Sequence, residues 1–431
     1  MSEIDMTADE RPRRRAAFGF IFASALMTSI SFGLMIPILP NLIRQLTGGD
    51  TAAASDWNVV FATTWGLMQF IVGPILGMLS DRVGRRPILL ISNFGLAVDF
   101  LFMAFAPTLW WLFVGRILNG VTAASFSTGG AYVADITPPE HRAKNFGMLT
   151  SAFSMGFLVG PTLGGFLGDI NIRLPFLVAA GLTALNWFYG LLILPESLPA
   201  ERRLARFEWT RANPLGSLRL LQSHPGLLSL AGVGFLFQLA QIVLPQVFVL
   251  YTTWRYHWSM SVLGLTFLIT GVMGVIVQMF LVGPAVARFG ERRLVLIGCV
   301  AGALGFAWYG SASAGWAYLM AAPIFAFSGF LMPGVQGLMS QRVPPNQQGQ
   351  LQGANQSLQG IAGIIGPSIF GLTFAFSVRH NSTLHLPGLA IYLAGGLFVL
   401  AFLLAWGFAH PHRAPAPAAL SLAIKAPEKS G

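Results

Sequence analysis

Two charged residues, Asp99 and Arg116, stand inside long apolar stretches of the sequence. A lone carboxylate or guanidinium within a membrane-spanning helix costs about 2.5–3.5 kcal/mol on insertion scales, so such a residue usually faces a partner or a water-filled cavity. If the two stretches cross a membrane in opposite directions, both residues lie roughly 10 Å below the same surface, at ~1.5 Å per residue. We therefore expect them to be neighbours, either as a structural ion pair or as a pair that titrates or faces a substrate.

A run of charged residues from Gly77 to Leu89 lies between two apolar stretches of membrane-spanning length. Its glycines and charged members are Gly77, Asp81, Arg82, Gly84, Arg85 and Arg86. The glycines indicate a tight link between two spans. The Asp81 carboxylate is able to accept hydrogen bonds from the unpaired N–H groups at the start of another helix, at the positive end of its dipole. We expect either such a latch between two parts of the chain or arginines that only fix the topology.

The composition of the chain is that of a membrane protein. Of its 431 residues, 54% are hydrophobic and 10% are charged, and the mean hydropathy is +0.65, which is too apolar for a soluble domain. The single cysteine, Cys299, excludes a disulfide framework and a multi-cysteine metal site, and we expect no cofactor. Since about 20 apolar residues cross a bilayer as a helix, the hydropathy predicts twelve spans. They lie at roughly 17–39, 58–79, 88–106, 110–133, 145–168, 174–194, 225–250, 261–286, 293–312, 315–340, 350–376 and 387–409.

The net charge of +10 is explained by membrane topology. Most Lys and Arg residues fall in the two tails and in the loops on one side of the predicted spans, whereas the opposite loops hold Arg44, Arg173, Arg255 and Arg379. The positive-inside rule then predicts that both termini are cytoplasmic. Because topology accounts for the basic residues, we expect no nucleic-acid partner.

Several landmarks of the first half of the sequence recur 206 residues later. They are Pro138-Pro139 with Pro344-Pro345, Gly147 with Gly353, Gly160-Pro161 with Gly366-Pro367, and Gly77 and Gly84 with Gly283 and Gly290. This shared register indicates two duplicated six-helix halves, with a midplane site between them. We predict bundles at 17–194 and 225–409, a cytoplasmic linker at 195–224, and tails at 1–16 and 410–431.

Further motifs extend the pattern over residues from about 17 to 409. They are Arg116-Ile-Leu-Asn-Gly120, Tyr132-Val-Ala-Asp-Ile-Thr137, Gly156-Phe-Leu-Val-Gly-Pro-Thr-Leu-Gly-Gly165, Leu67-Met-Gln-Phe70 and Gln347-Gln-Gly-Gln-Leu-Gln-Gly353. Together with the run at Gly77, they resemble the major facilitator superfamily, its twelve-helix drug/proton antiporters and, among these, the tetracycline efflux proteins. The resemblance implies two pseudo-symmetric six-helix bundles in the inner membrane. It also implies export of tetracycline-like or other amphipathic drugs in exchange for protons, by alternating access.

The resemblance also implies roles for individual residues. Asp81 would face the start of helix 11 near residues 349–352, Arg85 would pair with Asp135, and Asp99 and Arg116 would match residues implicated in transport. We take Asp99 and Arg116 as the candidates for proton coupling. The sequence departs from the tetracycline antiporters at three positions: Thr28 and Gly302 replace acidic residues, and Gly274 replaces a histidine. Either Asp99 carries the proton with Arg116 beside it, or coupling differs from that of the relatives, or the protein is not proton-coupled.

Polar residues in apolar helices are candidates for a substrate cavity. They are Thr28, Gln69, Gln238, Gln241, Gln278, Gln336, Gln356 and Gln359. Hydroxyls and amides bind a bulky amphipathic molecule without a fixed charge, although each could instead bond to a neighbouring helix. In helix 5 we expect packing and bending positions. These are Gly156, Gly160, Pro161, Gly164 and Gly165.

The alternative function is export or facilitated transport of an endogenous metabolite without the usual proton coupling. An intramembrane enzyme would need a cluster of catalytic side chains, and one isolated carboxylate argues against it. No stretch reads Gly-x-x-x-x-Gly-Lys-Ser/Thr, so nothing supports an ATP-driven pump. The expected partners are a small-molecule substrate, protons and the lipid bilayer, and we expect a monomer.

Overall fold

The computed structural model describes residues 10–122, 125–138, 141–199, 201, 203, 216–223, 226–344 and 347–408, and within these ranges the protein consists of helices and the turns between them. The first six helical segments are α1 (Glu10–Met35, continued by Leu39–Leu46), α2 (Thr51–Val83), α3 (Arg85–Phe105), α4 (Leu109–Thr122 and Ser125–Ile136), α5 (Arg142–Ile170) and α6 (Leu174–Ile193).

The next six begin after the short helices Gly216–Arg219 and Leu220–Ser223. They are α7 (Leu227–Gln241 and Val243–Tyr256), α8 (Met260–Ile276, the π-helical turn Val277–Leu281 and the first part of Val282–Ser311), α9 (the second part of Val282–Ser311), α10 (Gly315–Leu319, Ala322–Ala326, Phe327–Phe330 and Leu331–Ser340), α11 (Gln348–Arg379) and α12 (Leu389–Phe408). Asn381–Leu384 is a single turn between α11 and α12.

The number of spans agrees with the prediction from hydropathy. Ten helical stretches in the described ranges are long and apolar enough to cross a membrane. One of them, Met260–Ser311, is two spans because Gly290 has a non-helical backbone (φ 76, ψ 162). The shorter apolar helix Leu109–Val121 begins α4. The predicted all-α, twelve-span membrane fold is therefore confirmed.

The start of α2 and its junction with α3 differ from the prediction. Asp50 caps α2, accepting hydrogen bonds from the backbone N–H groups of Ala52 (2.9 Å) and Ala53 (3.1 Å), so the helix begins at Thr51 and not near residue 58. At the other end α2 reaches Val83 and α3 begins at Arg85, with Gly84 alone between them. The predicted charged turn is therefore one residue long, and the charges lie on helix ends.

The segments form two groups. In the first, α1 packs on α5 and α6, and α3 packs on α6 and α4; in the second, α9 packs on α12 and α10, and α7 packs on α12. The groups meet where α2 lies along α11 and where α5 lies along α8. We call these groups the N bundle (α1–α6) and the C bundle (α7–α12). The face at which α1 begins and α12 ends is the terminal face, and the opposite one is the distal face.

The small residues of α5 bring this helix close to its neighbours. An added Cβ at Gly160 would lie 2.7 Å from the Gly33 Cα of α1, and one at Gly156 would lie 2.9 Å from the Ile30 nitrogen. Two further positions allow equally close approach: Gly164 to Leu34 of α1, and Gly165 to Met260 of α8. Pro161 lies within this stretch of α5. The stripe therefore places α5 against α1 on one side and against the C bundle on the other.

Candidate functional site

The Asp99–Arg116 pair lies inside the N bundle, toward the distal ends of α3 and α4. The Arg116 guanidinium (Nη2) is 3.3 Å from Asp99 Oδ2, and both residues are buried, Asp99 completely and Arg116 to within 5%. The sequence expectation that the two are neighbours thus agrees with the structure. The same Arg116 nitrogen also contacts the Met35 and Met103 sulfurs at 3.2 Å.

The pair is only partly hydrogen-bonded. Asp99 Oδ1 and Arg116 Nε are buried without a hydrogen-bond partner among the residues that the structure describes. A buried ion pair offsets its desolvation cost only when geometry is good and the remaining lone pairs and protons are satisfied. Oδ1 lies beside Gly115, where an added Cβ would be 2.8 Å away. The arrangement is therefore poorly suited to a purely stabilising role.

Two residues to which the sequence assigned no role complete this site. Asn119 of α4 donates its side-chain amide to Asp99 Oδ2 at 2.8 Å, and the indole N–H of Trp65 in α2 donates to Asn119 Oδ1 at 2.8 Å. Asn119 is one turn after Arg116, so both reach α3 from the same face of α4. That i, i+3 spacing was the available sequence signal for Asn119; nothing in the sequence indicated Trp65.

The charged group at the α2–α3 junction gathers on the terminal face of the N bundle. The Arg85 guanidinium lies 2.5 Å from the Asp81 carboxylate and 3.1 Å from the Asp135 carboxylate, and it donates to the Ser80 hydroxyl at 2.6 Å. The contact between Arg85 and Asp135 is the one that the resemblance implies. Through Arg85, the ends of α2, α3 and α4 are joined. Arg82, by contrast, is exposed to solvent.

A missed residue, Glu196, holds the start of α3. Its carboxylate accepts from the backbone N–H groups of Arg85 (2.8 Å) and Arg86 (3.3 Å). Such a carboxylate satisfies two unpaired donors and lies at the positive end of the helix dipole. It also explains Gly84, whose φ is 118° and whose missing Cβ leaves room for the carboxylate of Glu196. A glutamate just after α6, in the predicted linker, carried no sequence signal for this contact.

The two bundles touch at the distal face. The hydrogen bonds that join them within the described ranges include Ser55 to the Gly371 carbonyl (2.8 Å), Asn58 to the Gln246 carbonyl (3.0 Å) and Thr162 to the Gly264 carbonyl (3.2 Å). Asp56 of α2 forms an ion pair with Arg379 of α11. Asp169, at the end of α5, accepts from the backbone N–H groups of Met260 (3.0 Å) and Ser261 (3.1 Å) at the start of α8.

Toward the terminal face the same helices carry glycines without close neighbours. Within the described residues, an added Cβ would meet open space at Gly77 of α2, Gly147 of α5, Gly274 of α8 and Gly349 of α11. Asp81, which the resemblance places against the start of α11, is bonded within its own bundle to Arg85. The hydrogen bonds and the ion pair named above thus join the bundles toward the distal face.

The polar cavity candidates fall into two kinds. Gln278, Gln336, Gln356 and Gln359 are exposed, and Gln69, Gln238 and Gln241 are partly exposed. Thr28 is 3% exposed and lies 3.5 Å from the Asn186 amide of α6. In this conformation Thr28 therefore belongs to the contact between α1 and α6 and not to an open surface, because hydroxyls in apolar helices bond readily to a neighbouring helix.

Two packed bundles of apolar helices, joined along α2–α11 and α5–α8 and holding a buried ion pair, define the class of protein: a multi-pass membrane transporter. A sequence model of the Major Facilitator Superfamily matches residues 21–367 and 256–427, and the chain belongs to this family.

Several curated relatives are similar over most of their length. The chain is 37% identical to the class C tetracycline resistance protein of Escherichia coli over 377 residues, which are 86% of this chain and 93% of that protein. It is 34% identical to the class H tetracycline resistance protein of Pasteurella multocida, over 86% of this chain and 92% of that protein.

Solved structures show the same fold at lower sequence identity. The crystal structure of the D-xylose-proton symporter matches with a TM-score of 0.71 and 19% identity, covering 92% of this chain and 98% of the symporter. That of the human organic anion transporter MFSD10 (TETRAN) matches with a TM-score of 0.66 and 22% identity, covering 91% and 99%. These likenesses support the two-bundle architecture alone.

Proposed function

We propose that this protein is a secondary active efflux transporter of the inner membrane that exports tetracycline-like or other amphipathic drugs in exchange for protons. The observation that carries the proposal is its 37% identity to a tetracycline resistance protein over nearly the whole length of that relative. The fully buried carboxylate of Asp99 supplies a group able to carry the proton. The activity is transport and includes no catalytic step.

Transport proceeds by alternating access, in which the two bundles rock around a site between them. With both termini in the cytoplasm, as the basic residues predict, we infer that this conformation, joined at its distal face, is closed to the outside and open to the cytoplasm. It receives a drug from the cytoplasm. Release on the other side requires the distal contacts to break and the terminal ends of α2 and α11 to approach, which would bring Asp81 to the start of α11.

Asp99 alternates between charged and neutral forms during the cycle. When charged, it balances the Arg116 guanidinium 3.3 Å away. When a proton binds the carboxylate, Arg116 keeps its charge without a counter-ion, which is costly within apolar helices. The N bundle then gains by rearranging so that Arg116 reaches water or another acceptor. Coupling therefore needs these two residues and a path for protons from the distal face.

The substrate site lies between the bundles and is lined by uncharged amides. The exposed Gln356 and Gln359 of α11, with the partly exposed Gln69 of α2, suit a molecule with several oxygen acceptors and donors on an apolar frame. Gly77 and Arg82 belong to the terminal gate and not to this site.

One observation favours the alternative, transport of a metabolite without the usual coupling. The position in α9 where the tetracycline antiporters have an acid is Gly302, and an added Cβ there would meet the ring of Phe398 from α12. A carboxylate does not fit this contact without displacing the ring. The C bundle thus lacks that proton site, and coupling depends on Asp99 alone.

Purified protein in sealed vesicles with an imposed pH gradient tests the proposal. Tetracycline and a panel of amphipathic compounds are supplied, and substrate uptake and proton release are measured together. We expect substrate-driven proton release, which Asp99→Asn abolishes while substrate binding remains. Asp50→Asn, which removes an exposed carboxylate of the same bundle, should leave proton release intact.

Two outcomes would overturn the proposal or replace it. If no compound moves in either direction, the protein is not the proposed exporter. If a compound moves at the same rate with and without the gradient, and Asp99→Asn changes nothing, the uncoupled alternative is correct.

A further inference from the structure

We propose that Asn119 and Trp65 are positioning residues that transmit a change in the protonation state of Asp99 to the contact between the two bundles. The inference rests on the proposed function, since it assumes that Asp99 gains and loses a proton during transport. It concerns a different step, namely how a proton on α3 changes the packing of α2 against α11.

The hydrogen bonds run in one direction across three helices. The Trp65 indole N–H of α2 donates to Asn119 Oδ1 of α4, and the Asn119 amide donates to Asp99 Oδ2 of α3, each at 2.8 Å. Because an indole N–H is only a donor, the oxygen of the Asn119 amide must face Trp65 and its NH₂ must face Asp99. The orientation of this amide is therefore fixed by its two neighbours.

The chain of bonds responds to a proton on Asp99. A charged carboxylate accepts a hydrogen bond about twice as strong as a neutral acceptor does. When a proton adds to the Asp99 carboxylate, no other bond breaks, but the Asn119 amide faces a neutral acid and its bond to Trp65 loses the polarisation that the charge provided. The charged group that faces Asp99 from α4 is Arg116. Besides Asp99, the described residues of α1 and α3 that contact this guanidinium are Met35 and Met103, through their sulfurs.

Trp65 stands at the place where the bundles touch. The next residue, Gly66, lies against α11, because an added Cβ there would be 3.0 Å from the Gly363 carbonyl oxygen. Thr63, on the same helix, lies 3.4 Å from Ser368 of α11. A change in the hydrogen bond from Trp65 to Asn119 therefore acts directly on α2 at its contact with the C bundle.

The contact between α4 and α2 is close enough to transmit such a change. One turn along α2 from Trp65, the Met68 side chain occupies the space that a Cβ on Gly120 would need. Since Gly120 directly follows Asn119, a shift of α4 moves α2. Packed helices of this kind respond by discrete rearrangement and not by gradual deformation.

The duplicated half shows that these bonds are not a general packing device of the fold. The offset of 206 residues places Gly305 at the position of Asp99 and Phe325 at that of Asn119. In the structure an added Cβ at Gly305 would lie 2.8 Å from the Phe325 Cβ. The C bundle thus fills the same place with apolar contact and keeps its fold without the polar chain.

The test measures the opening of the distal face as a function of pH. Spin labels at Thr108 of the N bundle and Ser382 of the C bundle, both exposed at the distal face, report the distance between the bundles in a Cys299→Ala background. Trp65→Phe removes the indole donor and keeps an aromatic ring. Trp57→Phe, on the same helix, is the matched control, because Trp57 packs on Phe61 and Trp110 through its rings.

We expect the ratio of closed to open distance populations to change with pH in the unaltered protein and in Trp57→Phe. In Trp65→Phe this change should shrink by roughly threefold or more, the effect of one buried hydrogen bond. Asn119→Leu should behave like Trp65→Phe, and combining the two should add little, since both remove the same chain of bonds.

Three results would overturn the inference. If Trp65→Phe keeps the pH response of the unaltered protein, the indole hydrogen bond does not transmit the protonation state of Asp99. A ratio shifted equally at every pH shows that Trp65 has only a structural role. A fully additive double variant shows that the two residues act separately. Failure of the proposed function looks different, because the unaltered protein then shows neither proton release nor a pH-dependent distance.

Discussion

Asp169 should stabilise the conformation that is closed at the distal face. Its carboxylate ends α5 and receives two backbone N–H groups of α8, at 3.0 and 3.1 Å, so the bond joins the N bundle to the C bundle. Asparagine keeps one acceptor oxygen, so Asp169→Asn loses one of the two hydrogen bonds, worth about 0.5–1.5 kcal/mol, and the charge at the helix start, worth about 0.3–1 kcal/mol. Because Asp169 is exposed to solvent, we take the lower total, about 1 kcal/mol.

This value converts directly into a change of populations. Only the closed distal face contains the bond, so Asp169→Asn should shift the ratio of open to closed molecules by about fivefold, at 1.4 kcal/mol per factor of ten. Spin labels at Thr108 and Ser382 measure that ratio. The effect should not depend on Asp99, because the two residues lie on different helices and share no partner within the described part of the chain.

Asp50→Asn is the matched control for Asp169→Asn. Asp50 is also exposed and also accepts from two backbone N–H groups, at 2.9 and 3.1 Å, but both belong to α2 of its own bundle. This cap is present in either conformation, so removing its charge affects both conformations alike and leaves the ratio unchanged. If Asp50→Asn shifts the ratio as far as Asp169→Asn does, or if neither shifts it, the reasoning about the distal contact is refuted.

Two further predictions concern the N bundle. Gly115→Ala places a methyl group 2.8 Å from Asp99 Oδ1 and should reduce proton-coupled transport at least tenfold with substrate binding retained. Gly129→Ala is the control and should transport normally, because an added Cβ there meets open space among the described residues. Equal loss in both variants would refute the role of the space between Gly115 and Asp99. Glu196→Gln keeps one acceptor oxygen but removes the charge at the start of α3 and one of the two hydrogen bonds. It should lower the free energy of unfolding by about 1 kcal/mol, measured as a fall in Tm in detergent. The exposed Glu201→Gln should change this free energy by less than about 0.5 kcal/mol. An unchanged Tm for Glu196→Gln would show that the start of α3 does not depend on this carboxylate.

The spans and the contact of Asp99 with Arg116 could be predicted from the sequence because both depend on the large free energy of transferring side chains between water and the bilayer. Burying a charge in a bilayer is costly, so a charge that remains there indicates a partner at similar depth. The position of α2 was less predictable. Its first turns contain Ser55 and Asn58, which lowered the local hydropathy, and only the structure shows that both bond to backbone carbonyls of the C bundle.

The residues that the sequence did not reveal act through tertiary contacts. Trp65 looked like one more apolar residue in α2, and its role depends on Asn119, which lies 54 positions away. Glu196 and Asp169 were assigned to a linker and a helix end, where carboxylates are common. A carboxylate that caps another helix gives no signal in the local sequence pattern, because donor and acceptor are far apart in the chain.

The duplicated halves separate what the fold needs from what transport needs. Both halves keep the positive φ of the glycine at the helix junction, 118° at Gly84 and 76° at Gly290. The side chains around these junctions differ. The Arg85–Asp135 ion pair of the N bundle corresponds in the C bundle to a hydrogen bond from the Gln341 amide to the Glu291 carboxylate, at 2.9 Å.

The same division applies deeper in the bundles. At the positions of Asp99, Arg116 and Asn119 the C bundle has glycine, alanine and phenylalanine, 206 residues later. Glycines that allow close packing thus recur in both halves, as at Gly160 and Gly366, whereas the titratable centre occurs in one. A proton bound in the N bundle can therefore change only that bundle directly. Its effect on the C bundle has to pass through the faces they share, α2–α11 and α5–α8, and the proposed chain of hydrogen bonds leads through Trp65 to the first of these.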